Sequence, residues 1–352
     1  MDQRKRHSLP VRIGDQTFQV TSDDDYLGDL NGTFEPATVE LFHTLVRPND
    51  VALDIGANIG CTALLLSQLA GKTICFEPSP STYALLQSNV ENAGAANVVL
   101  VNAGLGAEAA DLSIVFNPAN RSGGFVSDKP VAGHAMEAIK IVHGDEHLKA
   151  AFPSIKVDFV KIDVEGYELN VLNGLADTLA NDRPVVTLEL NHWCLNAFQR
   201  MSVPDFFDAL RAKFPVLYAV GKRGARDLHA PADSYFVMHE HIVKFDFPVI
   251  VGAFDESQLG AFLDRYVRNP PAYEEPVPAE VRITELQAAL LQTEQVLATE
   301  RAARAREQAA AITLARDAAA RQQQLQATID AVHASHSWKV TAPLRAVRNL
   351  LN

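Results

Sequence analysis

The chain has 352 residues, 47% of them hydrophobic, enough for one large domain with an appendage or for two domains. Its formal net charge of −12 argues against a general affinity for nucleic-acid backbones, which needs basic surface. Three cysteines, Cys61, Cys75 and Cys194, follow no repeat spacing, so they imply neither a disulfide framework nor a zinc site, and a reducing cytosol is the simplest setting.

The basic start, from Met1 to His7, is followed by no long apolar run, which argues against a secretory signal peptide. No stretch reaches the roughly 20 apolar residues of a membrane span. Residues 11–20 alternate around Gly14-Asp15 and predict a small hairpin. Asp23, Asp24 and Asp25 read as a solvated loop, and residues 36–46 as an amphipathic helix. Residues 1–50 are therefore expected to pack on a core that begins at 51.

Residues 51–55 form a short apolar run, the pattern of a buried parallel strand. The run breaks into Asp54-Ile-Gly56-Ala-Asn58-Ile-Gly60, and an apolar helix follows over 60–70. Strand, glycine loop and helix open a nucleotide-binding α/β unit. A dinucleotide fingerprint needs Gly-x-Gly-x-x-Gly, so that a pyrophosphate can sit on the helix N-terminus. Asn58 stands where the second glycine is required. Asp54 would repel a pyrophosphate and would suit an ammonium group, such as the amino-acid end of S-adenosylmethionine. The competing reading is an ordinary βα turn. A second strand, 73–76, ends in Glu77-Pro78. An acid there, about 20 residues past the glycine loop, accepts hydrogen bonds from ribose hydroxyls in either class of nucleotide site. Its alternative is a solvated strand-end charge.

These residues resemble the FkbM-type S-adenosylmethionine-dependent methyltransferases. The resemblance rests on Asp54-Ile-Gly-Ala-Asn-Ile-Gly-Cys-Thr62, Phe76-Glu-Pro78, Lys161-Ile-Asp-Val-Glu-Gly-Tyr-Glu168, and Glu35-Pro36 ahead of the first strand. It covers about residues 26–190. It implies an α/β class I methyltransferase (Rossmann-like) fold, with a seven-stranded, mostly parallel sheet and helices on both faces. It also implies S-adenosylmethionine as cofactor and, usually, O-methylation of a sugar or natural-product hydroxyl. Glu35, Gly56, Ala57, Asn58, Gly60, Thr62 and Pro78 then join Asp54 and Glu77 at the cofactor, with an exposed helix-start acid as the alternative reading of Glu35. Asn102 and Ala103, after a third strand at 98–102, suit a floor beneath the adenine or a plain tight turn.

Strands are predicted at 111–116 and 138–142, with a turn-rich loop at 117–125 that either borders the acceptor site or is plain surface. Residues 157–163 and 185–190 return to core strands, 204–213 form a helix, and 216–220 and 235–238 supply the last two strands. The methyltransferase domain then spans 51–268. A proline-rich stiff linker occupies 269–280. Residues 281–334, without Pro or Gly, predict a long helix. Leu290, Leu297, Leu325 and Val332 share one heptad position, which suits a coiled coil joining copies of this chain or a partner protein; a lone solvated helix is the alternative. The tail 335–352 is basic and apolar and resembles tails on some bacterial cell-surface polysaccharide enzymes. Trp338, Lys339, Arg345 and Arg348 there suit the inner face of an anionic membrane, a partner protein, or disorder.

A sugar hydroxyl is a poor nucleophile at neutral pH and needs a base or a metal. By the resemblance, the first, fourth and fifth strands are neighbours, closed by Asp54, Asp163 and Glu189. Alternation puts Lys161, Asp163 and Glu165 in one phase and Thr187, Glu189 and Asn191 in another, with His192 next. Asp163, Glu189 or His192 then serves as general base, or Asp163, Glu165 and Glu189 hold a cation such as Mg2+. A third reading is a structural ion-pair network around Lys161, which is costly to bury unpaired. The expected function is O-methylation of a saccharide hydroxyl in cell-surface polysaccharide biosynthesis, in the cytoplasm or peripherally at the membrane's inner face. Nucleic acid is not an expected partner: the charge opposes it, and no Asn/Asp-Pro-Pro-aromatic tetrapeptide is present. The rival is a non-catalytic methyltransferase fold acting as a coiled-coil scaffold.

Overall fold

A computed structural model describes residues 6–270 and 279–335. Most of the expected linker and nearly all of the expected basic tail lie outside the described residues. The chain divides into two compact units between residues 273 and 274.

In the first unit, β1 (His7–Ile13) and β2 (Gln16–Ser22) form the antiparallel N-terminal hairpin. Its alternation buries Val11, Ile13 and Val20 on the core side. Asn89, from the helix Pro80–Ala93, bonds both the N–H and the C=O of Thr21 and so ties the hairpin down. Then come β3 (Val51–Ile55), β4 (Lys72–Phe76), β5 (Val98–Val101) and β6 (Gly104–Gly106). A meander follows: β7 (Ala110–Asn117), β8 (Asn120–Val126) and β9 (Ala135–His143). The chain returns to the core through β10 (Phe159–Ile162), β11 (Val185–Glu189), β12 (Val216–Gly221), β13 (Gly224–Asp227) and β14 (Val249–Ala253).

The main sheet has the order β13-β12-β14-β11-β10-β3-β4-β5. The strands from β5 to β11 are parallel, whereas β14 runs antiparallel to both β11 and β12. This is a Rossmann-like class I methyltransferase fold of seven strands, with β13 added as an eighth at the edge. The central strands are apolar on both faces: Leu53, Ile55, Ile74, Phe76, Phe159, Val160 and Ile162 are all at most 1% exposed. Each such side chain contributes about 1.5–3 kcal/mol by leaving water, and helices cover both faces of the sheet. The second sheet, β6-β9-β7-β8, stands beside the C-terminal ends of the first.

Three expectations need correction. Residues 235–238 are not a strand; they lie in the helix Pro231–Lys244, and the last strand is β14. Pro231 fits the first helical turn, and Val237 and His241 face the interior four residues apart. The loop expected at 117–125 contains β8, whose pair of glycines disguises it. Asp24 is buried, not solvated: it accepts from Ser22 Oγ, the Tyr26 N–H and the Arg121 N–H.

The second unit is the helix Ala279–Ala334, 56 residues and about 84 Å long at 1.5 Å per residue. Leu290, Leu297, Leu325 and Val332 on its heptad stripe are all exposed. Among the described residues, no helix is long and apolar enough to cross a membrane.

Candidate functional site

The glycine loop joins β3 to the helix Cys61–Leu69. Gly56 has φ +80°, and a Cβ there would lie 1.8 Å from the Asp163 carbonyl oxygen, so only glycine permits the loop to meet the end of β10. Gly60, with φ +103°, would put a Cβ 2.8 Å from Leu86 Cδ1. Asn58, at φ +48°, donates its N–H to Glu77 Oε2 at 3.0 Å. Glu77 Oε1 accepts the Ser79 N–H at 2.9 Å. Burial pushes the Glu77 carboxyl up to about 7, against the pull of these two amides.

In the next row, the register aligns Asp54 of β3, Lys161 of β10 and Thr187 of β11. Lys161 Nζ donates to the Gly56 carbonyl at 2.7 Å and lies 3.2 Å from Asp54 Oδ1 and 3.5 Å from Asp163 Oδ2. Burial opposes its charge, but Asp54 and Asp163 outweigh burial and hold the ammonium above its ordinary pKa. Asp54 Oδ2 accepts from Thr62 Oγ1 at 2.7 Å.

Beyond this row, Asp163, Glu165 and Glu189 bring carboxylate oxygens within 4.8 Å of one another. Burial, then the charges of Asp163, Glu165 and Glu168, holds the Glu189 carboxyl well above its usual range. Its Oε2 is buried with no hydrogen-bond partner. Burial and Asp163 likewise push Glu165 up to about 7, although it accepts from Asn191 Nδ2 at 2.9 Å and Cys194 Sγ at 3.1 Å.

Two cavities, of about 280 and 300 Å³, open over these groups. Together they reach the range of small-molecule sites, roughly 300–1,000 Å³. Both are lined by Tyr26, Glu35, Gly56, Asn58, Asp163 and Glu189. The first extends past Glu77, Pro78 and Glu165 to the second sheet. The other extends past Ala57, Thr62, Lys161 and Thr187.

Several expected site residues stand elsewhere. Asp54 is fully buried and lines neither cavity; Lys161 Nζ stands 3.2 Å from its Oδ1, and Thr62 Oγ1 donates to its Oδ2. Gly60, Asn102 and Ala103 also lie outside the cavity walls. Asn102 braces the site from behind, donating to the carbonyls of Glu77 and Pro78. His192 packs its ring edge-on to His241 at 5.0 Å and beside Phe245 at 4.9 Å, away from the acids. Burial lowers its pKa.

Sequence reasoning did not single out Tyr26, Arg121 or Tyr167, which line the first cavity, although Arg121 lies in the 117–125 stretch read as bordering the acceptor site or as plain surface. Arg121 grips Asp23 through Nε and Nη2 at 2.9 and 2.8 Å and lies over the Phe116 ring.

This sheet order, with a glycine loop after the first core strand, defines the class, a class I methyltransferase fold. Residues 54–223 match the family model described as the methyltransferase FkbM domain. Among curated proteins, the hexuronic acid methyltransferase AglP of Haloferax volcanii is 32% identical over 163 residues, covering 46% of this chain and 64% of that protein. Methyltransferase 1 of Beauveria bassiana is 31% identical over 144 residues, covering 36% of this chain and 58% of that protein. The chain thus spans between 58% and 64% of the length of these relatives. A solved methyltransferase FkbM from Methylobacillus flagellatus is 17% identical, with 43% of this chain and 39% of that chain covered and a TM-score of 0.30.

Proposed function

We propose that this protein transfers the methyl group of S-adenosylmethionine to a hydroxyl of a saccharide-like acceptor. One observation carries the reading: a single cleft at the C-terminal ends of β3, β4, β10 and β11 has Glu77 and the glycine loop on one side and three clustered carboxyl groups on the other. The name of the Haloferax relative supports a sugar acceptor.

The residues present fit the cofactor. Glu77 faces the cavity with a lone pair left on each oxygen for ribose hydroxyls. Gly56, Ala57, Asn58, Thr62 and Pro78 supply close walls. With Asp54 engaged inside, Glu35 and Asp163 are the acids that face a cationic group. When bound, S-adenosylmethionine supplies an activated methyl on a sulfonium. Asp163, whose side chain is 44% exposed, takes the acceptor's hydroxyl proton as the new oxygen–carbon bond forms. Glu189 stands beside that carboxylate, and burial and the neighbouring charges favour its neutral form. The chain's further work is to position the acceptor and keep water out.

A second reading has its own observation: Asp163, Glu165 and Glu189 offer a compact set of hard oxygen donors suited to Mg2+. These three residues would hold the ion, which would supply Lewis acidity toward the acceptor hydroxyl. Chelation separates the two: activity that survives it supports the base, and activity lost and restored by Mg2+ supports the metal.

Calorimetric titration with S-adenosylhomocysteine, followed by a labelled-methyl screen of sugar nucleotides and lipid-linked glycans, tests the proposal. Binding and labelled product are expected. No heat of binding to folded protein overturns it and favours a scaffold built on the helix Ala279–Ala334.

A further inference from the structure

Lys161 is the sole buried lysine among the described residues, and methyl transfer as proposed gives it no direct task. Its ammonium reaches three groups from three parts of the site: the Gly56 carbonyl of the loop at 2.7 Å, Asp54 of β3 at 3.2 Å and Asp163 at the end of β10 at 3.5 Å. The first of these is a hydrogen bond, and the two carboxylates surround the ammonium as ion-pair partners. Loop and acid also meet directly. The Asp163 N–H donates to the Ile55 carbonyl at 3.1 Å, and the Asp163 carbonyl fills the space that a side chain at 56 would need. Asp54 extends the frame through Thr62, in the first turn of the helix that follows the loop. Stability alone does not account for such a pair, because well-packed apolar residues in place of a buried ion pair are often neutral or stabilising.

The geometry points to Lys161 as a positioning residue. Paired with Asp54, it holds the glycine-loop carbonyl and the Asp163 carboxylate in one frame, so that cofactor affinity and proton removal depend on the same ammonium. This rests on the methyl-transfer reading and adds to it.

Lys161→Met alone leaves Asp54 buried without its cation and is expected to unfold readily. The double variant Asp54→Asn/Lys161→Met removes both charges and keeps an oxygen for Thr62. It is expected to fold, as judged by circular dichroism and melting, yet to bind S-adenosylhomocysteine about ten- to a hundredfold more weakly, the range expected for a charged hydrogen bond lost from the frame. Its kcat is expected to fall as well. A folded double variant with wild-type affinity and wild-type kcat overturns the proposal and leaves a structural ion pair. In the unaltered protein, the 15N-labelled Lys161 Nζ resonance should move when S-adenosylhomocysteine is added; an unmoved resonance overturns the proposal even if no variant folds. Wild-type protein that binds no S-adenosylhomocysteine overturns the underlying reading, an outcome distinct from a variant that binds normally.

Discussion

Glu77 offers the sharpest perturbation, because its titration can be read as binding. Burial holds its carboxyl at about 7, well above the ordinary 4.5. An ionised carboxylate can accept from both ribose hydroxyls, whereas a protonated one must give up part of that capacity. Below pH 7 the ligand must therefore displace a proton, at a cost of about 1.4 kcal/mol, or tenfold in affinity, per pH unit. Between pH 8 and pH 6 the ionised fraction falls roughly tenfold, and S-adenosylhomocysteine affinity should fall by the same factor. Glu77→Gln turns an amide NH2 toward the N–H of Asn58 or Ser79, two groups that now donate to the carboxylate. One donor is left without an acceptor, which costs about 1–3 kcal/mol and should flatten the pH dependence. The stability effect has a definite sign. A carboxyl raised in the folded state keeps its contribution below about 4.5 and loses it as the pH rises through about 7, so wild type should lose ground to the variant between pH 5 and pH 8. Calorimetry at pH 6, 7 and 8 on both proteins reads the binding effect. The variant also subtracts the titration of Glu165, which lies near 7 in the same cleft. A flat wild-type profile, or a slope just as steep in Glu77→Gln as in wild type, refutes the assignment.

Other perturbations separate the parts of the account. Gly56→Ala places a Cβ 1.8 Å from the Asp163 carbonyl at φ +80°; beyond the roughly 1–2 kcal/mol of left-handed strain, it should displace Asp163 and weaken S-adenosylhomocysteine binding, and unchanged affinity would mean that the loop does not touch the ligand. Asp163→Asn should lower turnover about a hundred- to ten-thousand-fold while cofactor affinity falls far less, as single-turnover kinetics beside calorimetry will show. Truncation after residue 278 should lower the sedimentation-derived particle mass by more than the residues removed if the helix Ala279–Ala334 pairs with a second copy; a fall matching those residues alone counts against pairing.

What was legible in the sequence was local. The apolar run of β3, the glycines after it and Glu77 at the end of the next strand are short-range patterns that burial enforces. Asp54 shows the limit. A strand-end acid beside a glycine loop looks available to a ligand, but the register sets Lys161 next to it from a strand over a hundred residues away. Asp24 was misjudged for the same reason, since Arg121 arrives from the second sheet. Residues 235–238 are short, aromatic and apolar, and periodicity over so few positions does not separate a strand from a helical turn. His192 follows Glu189 closely, yet Asn191 caps a helix there and carries the ring away from the acids. The gathering of Asp163, Glu165 and Glu189 was foreseeable from strand neighbours, whereas Tyr26, from the approach segment, left no signal of its own.

A crystal of the protein grown with S-adenosylhomocysteine tests the central claim most directly. The account predicts the ribose hydroxyls on Glu77, the adenosine in the cavity beside Pro78, and the sulfur facing Asp163. Ligand bound elsewhere, or in this cleft with its ribose turned away from Glu77, contradicts it.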